Sequence, residues 1–187
     1  MLEQVLHLYI TSTCGHKCPL CCNRLYDIEK IPVVTVELLK SVQTVCLTGG
    51  DPFDALHPNE LSRFIRNLRE QYRNIENLYI YTSGYMCGGR LSMTAQECYI
   101  DGINLAPKSF NDWISVKRLF ERESWFFTKG RSSRLYVFKE QRPIFDASGL
   151  IDVIKENRVN IDIIDRQWTT EFNTPNNEHF ARLPILF

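Results

Sequence analysis

Net charge is absent from this sequence: 22 lysines and arginines cancel 22 aspartates and glutamates. No long-range field therefore draws the chain to nucleic acid or an anionic membrane, so any anionic partner must be recognised locally. Long apolar runs are absent as well. No stretch approaches the roughly 18 uninterrupted apolar residues of a membrane span, and the N-terminal "MLEQVLHLYITSTC" lacks a basic leader and reads as a first strand. Polar, low-complexity segments are also missing. With 44% hydrophobic and 24% charged residues, the composition is that of a globular chain. One domain is expected for 187 residues, given a prior of about 150 residues per domain.

Cysteine, by contrast, is plentiful and unevenly placed. Four of the seven fall within "TSTCGHKCPLCCNR", residues 11–24. An odd total with four crowded together points to metal ligation in a reducing, cytoplasmic compartment, not to a disulfide framework.

Short β-branched or aromatic runs recur at 5–11, 44–50, 77–84, 103–108, 134–140 and 160–168, and each reads as a strand. Helical patterns lie between them, clearest at 57–72, 109–123 and 148–158, the last two opening with Ser109 and Ser148 as N-cap candidates. Shorter patterns occupy 35–43 and 94–101. Six alternations predict an α/β fold, an open partial (β/α)6 barrel of parallel strands over residues 1–168. Residues 169–187 form a tail that packs on the barrel or on a partner. In such a fold the loops after strand C-termini share one face, where chemistry collects.

Two motifs fall on that face. Cys14, Cys18 and Cys21 follow the first strand as CxxxCxxC. Three thiolates on one loop can each take a corner of a cubane and leave the fourth iron open. A closed zinc site completed by Cys22 or His16 is the main alternative, and a metal-free thiol loop is the third. "CLTGGDPFD", residues 46–54, follows the second strand. There Gly49 and Gly50 let backbone approach a ligand closely, Asp51 adds an acceptor suited to an ammonium group, and Pro52 stiffens the exit.

Together these residues resemble the radical S-adenosylmethionine (SAM) superfamily, whose cysteine loop is matched by Cys14, Cys18 and Cys21 and whose glycine-rich motif is matched by Gly49, Gly50, Asp51 and Pro52. The resemblance implies a partial barrel holding a 4Fe-4S cluster whose unique iron chelates SAM. It further implies reductive SAM cleavage to a 5'-deoxyadenosyl radical, which abstracts a substrate hydrogen, and an electron donor such as flavodoxin or ferredoxin. The residue before the third ligand, usually aromatic in the superfamily, is Leu20 here. Cys46 and Cys98 read as small buried hydrophobes, and Cys87 and Cys98 are too few for an auxiliary cluster.

Family analogy makes Thr82 and Ser83 contacts to SAM, with an ordinary strand-end turn as the alternative. Lys108 ends the fourth strand, where it could meet the SAM carboxylate, a substrate anion or only solvent. Lys139, Asp165 and Arg166 end the fifth and sixth strands as candidates for substrate recognition, with an Asp165–Arg166 surface pair as the alternative. "SGYMCGGRLSM" is a glycine-rich loop that could act as a lid reaching substrate with Arg90, with plain flexibility as the alternative. The basic run "KGRSSR", 129–134, reads as a solvated turn on the far face.

Two reaction classes follow. In one, the chain acts directly on a small-molecule or nucleotide-type substrate, by similarity to compact 7-carboxy-7-deazaguanine synthases, whose lysine after the fourth strand "NLAPK" resembles. In the other, it is an activase that installs a glycyl radical on a protein partner such as anaerobic ribonucleotide reductase. "CGHKCPLCCN", with His16, Pro19 and Asn23, "GGDPF" and "YTSGY" are locally similar to activase segments. The missing glycine-rich segment before the cysteine loop and the long tail favour the first class.

Overall fold

A computed structural model of the chain describes residues 3–15, 18, 21, 27–168 and 175–187. His16, Pro19, Leu20, Cys22 and Asn23, considered above, lie outside the described residues. Among the described residues, no helix is long and apolar enough to cross a membrane.

Seven strands form one parallel sheet in the order β6-β5-β4-β3-β2-β1-β7. They are β1 Val5–Thr11, β2 Thr44–Gly49, β3 Asn77–Thr82, β4 Gly102–Leu105, β5 Arg134–Phe138, β6 Asp162–Arg166 and β7 Glu178–Arg182. Neighbours in sequence are neighbours in space from β1 to β6, as short right-handed crossovers require. The helices are α1 Val36–Ser41, α2 Pro52–Ala55, α3 Pro58–Gln71, α4 Arg90–Glu97, α5 Phe110–Arg122, α6 Arg142–Ala147 and α7 Leu150–Glu156.

Side chains alternate along every central strand, and the alternation divides the molecule. Leu6, Leu8 and Ile10 of β1, Val45 and Leu47 of β2, and Leu78 and Ile80 of β3 are fully buried. They join Leu61 and Ile65 of α3 and Val116 and Phe120 of α5 in one apolar core. Burying each such side chain contributes roughly 1.5–3 kcal/mol. The opposite positions, among them His7, Cys46, Tyr79 and Tyr81, face a lumen on the other side of the sheet.

Local capping explains most helix starts. Ser109 Oγ accepts from the Asp112 N–H at 3.3 Å. His57 and Glu60 form a reciprocal capping box on α3, with His57 Nδ1 accepting from the Asn59 N–H and Glu60 Oε2 from the His57 N–H.

Two expectations are corrected. Gly149, in the left-handed region at φ +67°, is the N-cap of α7, and Ser148 serves it one residue earlier by accepting from the Leu150 N–H. The helix sought at 94–101 runs Arg90–Glu97 instead, because Glu123 reaches across from the end of α5 to accept from the Gly89 and Ser92 N–H groups. The tail carries β7, which pairs with β1 in register from Val5↔Glu178 to Tyr9↔Arg182.

Candidate functional site

The exits of β1 and β2 are fastened to each other. The Gly50 N–H donates to the Thr11 carbonyl at 2.7 Å, and the Asp51 N–H donates to the Thr13 carbonyl at 3.2 Å. A Cβ on Gly49, whose φ is +118°, would stand 2.1 Å from Thr11 O, and one on Gly50 would stand 1.9 Å from Thr13 O. The missing side chains of these glycines admit the chain leading into Cys14. Asp54 fastens the next residue, accepting from the Gly15 N–H.

Held this way, Cys14, Cys18 and Cys21 line one cavity of about 100 Å3 with Gly49, Gly50 and Asp51. Thr82 and Ser83 complete its wall from β3. Cys18 is buried, while Cys14 and Cys21 are half-buried. Among the described residues, no three His, Cys, Asp or Glu side chains close on a point that would hold a single metal ion. A cubane makes a different demand, one thiolate for each of three irons. The donor set on this wall fits that demand, with Cys14, Cys18 and Cys21 as the residues that could hold the cluster.

Asp51 is buried. Its Oδ2 accepts from Thr82 Oγ1, the Ser83 N–H and Ser83 Oγ, each at 2.9 Å, and its Oδ1 accepts from the Phe53 N–H at 3.2 Å. Burial pushes its carboxyl above the usual range, opposed by those bonds from Ser83, Thr82 and Phe53. Its acceptor capacity is spent on the protein, so Asp51 positions the exits of β2 and β3, and Pro52 starts α2 behind it.

Beside this cavity lies the lumen, about 500 Å3, a volume usual for small-molecule sites. Thr48, Tyr81, Ala106 and Lys108 border both spaces. The Lys108 ammonium stands 4.9 Å from the Trp168 ring centroid and 5.9 Å from that of Phe138. Arg166 lies over Tyr136 at 4.4 Å, within the cation–π range. Burial disfavours the charge of Arg134, yet Tyr136, Tyr81 and Tyr79 together hold its guanidinium above its ordinary pKa. Across the lumen, His7 Nε2 meets Glu178 Oε2 at 3.0 Å, and its ring stacks on Phe180 at 4.4 Å. The buried amide of Asn104 sits in register between Tyr81 and Arg134, with Oδ1 lacking a hydrogen-bond partner among the described residues.

Of the residues read as substrate candidates, Arg166 lines the lumen. Arg90 instead donates to the Phe53 and Leu56 carbonyls, pinning α4 to α2. Lys139 is exposed in a 3-10 turn after β5. Asp165 is exposed and pairs with Arg142 at 2.8 Å, not with Arg166. Arg134 falls both in the basic run and at the start of the strand expected at 134–140, and it is the first residue of β5. Its place in the lumen was not among the site candidates, and the strand's alternation, which sets it in phase with Tyr136, is the signal that could have found it. Cys46, Cys87 and Cys98 are buried thiols. Burial pushes Cys46 up to about 12 and Cys98 to about 11, so both stay protonated and are poor ligands.

No protein family matches this chain, and neither does any curated protein. Among solved structures, the catalytic domain of a family GH18 chitinase from the fern Peteris ryukyuensis aligns over 84% of this chain and 67% of its own, at 10% identity and a TM-score of 0.37. A likeness at that score carries no argument about chemistry. What the chain itself presents is a parallel α/β sheet whose strand exits gather three cysteines beside a polar, aromatic lumen.

Proposed function

We propose that this chain is a radical SAM enzyme acting directly on a small-molecule or nucleotide-type substrate. The observation that supports this reading best is a convergence. The three cysteines of CxxxCxxC and the GGDP turn share one cavity, and that cavity adjoins a lumen of substrate size at Thr48, Tyr81, Ala106 and Lys108.

In this reading Cys14, Cys18 and Cys21 hold a 4Fe-4S cluster, which when bound with SAM supplies reductive sulfonium cleavage and hydrogen abstraction. The chain supplies position. Gly49 and Gly50 set the cysteine loop against β2, Asp51 ties that turn to Thr82 and Ser83, and Lys108 places a cation where cofactor and substrate meet.

The alternative, a glycyl-radical activase, needs a site that admits a partner's peptide loop. The lumen, lined by side chains of six strands and holding its own cations, suits a small ligand better. One experiment separates the readings. The protein is reconstituted anaerobically with iron and sulfide, reduced with dithionite and given SAM. Release of 5'-deoxyadenosine without a partner supports direct action, whereas release only with a second protein, together with a glycyl radical signal, supports the activase. A purified protein carrying zinc with every coordination position filled by side chains overturns both.

A further inference from the structure

The charges of the lumen are segregated, two acids apart from three cations. Both of its acids are engaged: Glu178 holds His7, and Glu3 accepts from Thr44 and Asn77. The cations Lys108, Arg134 and Arg166 all come from the wall built by β4, β5 and β6 or their exits, and none forms an ion pair among the described residues. Two of them converge, since Arg134 and Arg166 both interact with Tyr136. The Arg166 guanidinium, stacked on the Tyr136 ring, keeps its in-plane N–H donors free for an anion, while Arg134 reaches the same phenol by a hydrogen bond. The lumen wall beside them is aromatic. Tyr79, Tyr81 and Phe180 line it, and Ala106, just past the end of β4, is small between the large side chains of β3 and β5.

We infer that the lumen binds a small anion carried on a flat ring, an aromatic carboxylate or phosphate monoester, with its charge against Arg134 and Arg166 and its ring along Tyr79, Tyr81 and Phe180. Identifying that ligand as a substrate rests on the radical SAM reading; its binding does not. The volume of about 500 Å3 holds one or two fused rings with an anionic group. Lys108, at the border with the cysteine cavity, marks the end of the lumen at which a substrate would be attacked.

The test uses the full-length chain without reductant or SAM, so it succeeds or fails independently of cluster chemistry. Benzoate, phenyl phosphate and uncharged benzamide are titrated while ligand-detected NMR and tryptophan fluorescence are followed. The expected result is saturable binding of at least one anion, at least about tenfold tighter than benzamide, equivalent to about 1.4 kcal/mol. Preference for benzoate or for phenyl phosphate then assigns a carboxylate or a phosphate ligand. Arg134→Gln and Arg166→Gln each weaken anion binding about tenfold or more, while Lys155→Gln, on the exposed face of α7, leaves it unchanged. Unchanged thermal melts certify the folding of each variant; where Arg134→Gln melts early, Arg166→Gln alone decides. Equal binding of benzamide and the anions, anion binding unaffected by the arginine substitutions, or no saturable anion binding up to roughly 10 mM, weak even for fragments of this size, overturns the inference.

Discussion

A methyl group on Gly50 would stand 1.9 Å from the carbonyl oxygen of Thr13, so the second glycine of the GGDP turn is required by the cysteine loop beside it. Overpacking of this kind costs about 1–3 kcal/mol, and the displaced atoms belong to the backbone leading into Cys14. Gly50→Ala is expected to lower the unfolding midpoint and to reduce iron retained after reconstitution. Gly49→Ala adds left-handed strain and should be worse. Iron per chain and denaturant melts check both, and retention at the wild-type level would refute the coupling of the two loops.

Substitution of the cysteines should split them into two groups. Cys14→Ser, Cys18→Ser and Cys21→Ser are each expected to abolish the absorption of a reconstituted cluster. Cys46→Ala and Cys98→Ala should retain it, because burial keeps those thiols protonated, at about 12 and 11. Visible absorption and iron-to-sulfide ratios measure the difference.

Asp51→Asn is nearly isosteric yet reverses one end of a network. Asp51 Oδ2 accepts three hydrogen bonds, from Thr82 and Ser83, and whichever way the new amide turns, an NH2 group faces donors at one of the two positions. Leaving buried partners unsatisfied costs about 1–3 kcal/mol. Urea melts should show that loss, and a double-mutant cycle with Ser83→Ala should give strongly non-additive values; additive values would argue against Asp51 as the tie between β2 and β3.

A pH dependence follows from His7. Burial lowers its pKa below the ordinary value, partly offset by Glu178, with Arg166 adding a smaller lowering. The folded state thus binds its proton less readily than the unfolded chain, for which the pKa is about 6.5. Its contribution is fully present above about pH 6.5 and is lost as pH falls through the lowered folded value. Denaturation midpoints should therefore drop from pH 7 towards 5, and His7→Gln should flatten that limb. An unchanged slope would remove His7 as its cause.

The first six strands were legible because each carries a β-branched or aromatic run bounded by turn residues, and their parallel order follows from the helices between them. Strand β7 was not, since "EHFAR" has no apolar alternation of its own and gains its place only by pairing with β1. The start of α4 was hidden for a similar reason: its N–H groups are satisfied by Glu123, more than 30 residues away. At the site, spacing alone left cluster, zinc and metal-free readings of the cysteines open, and only the cysteine and glycine motifs together carried the resemblance. The role of Asp51 was hidden, because nothing local shows that its acceptors are already filled, and the place of Arg134 in the lumen was hidden because the basic run and the strand start share that residue.

Lys108 borders two compartments at once, with its ammonium resting on Trp168. A single positive charge shared in this way makes the chambers thermodynamically interdependent, since whatever negative group settles in one changes the work of filling the other, by the same factor in both directions. Occupancy of the two chambers is then tied through one side chain: a guest in either sets how firmly its neighbour holds its own.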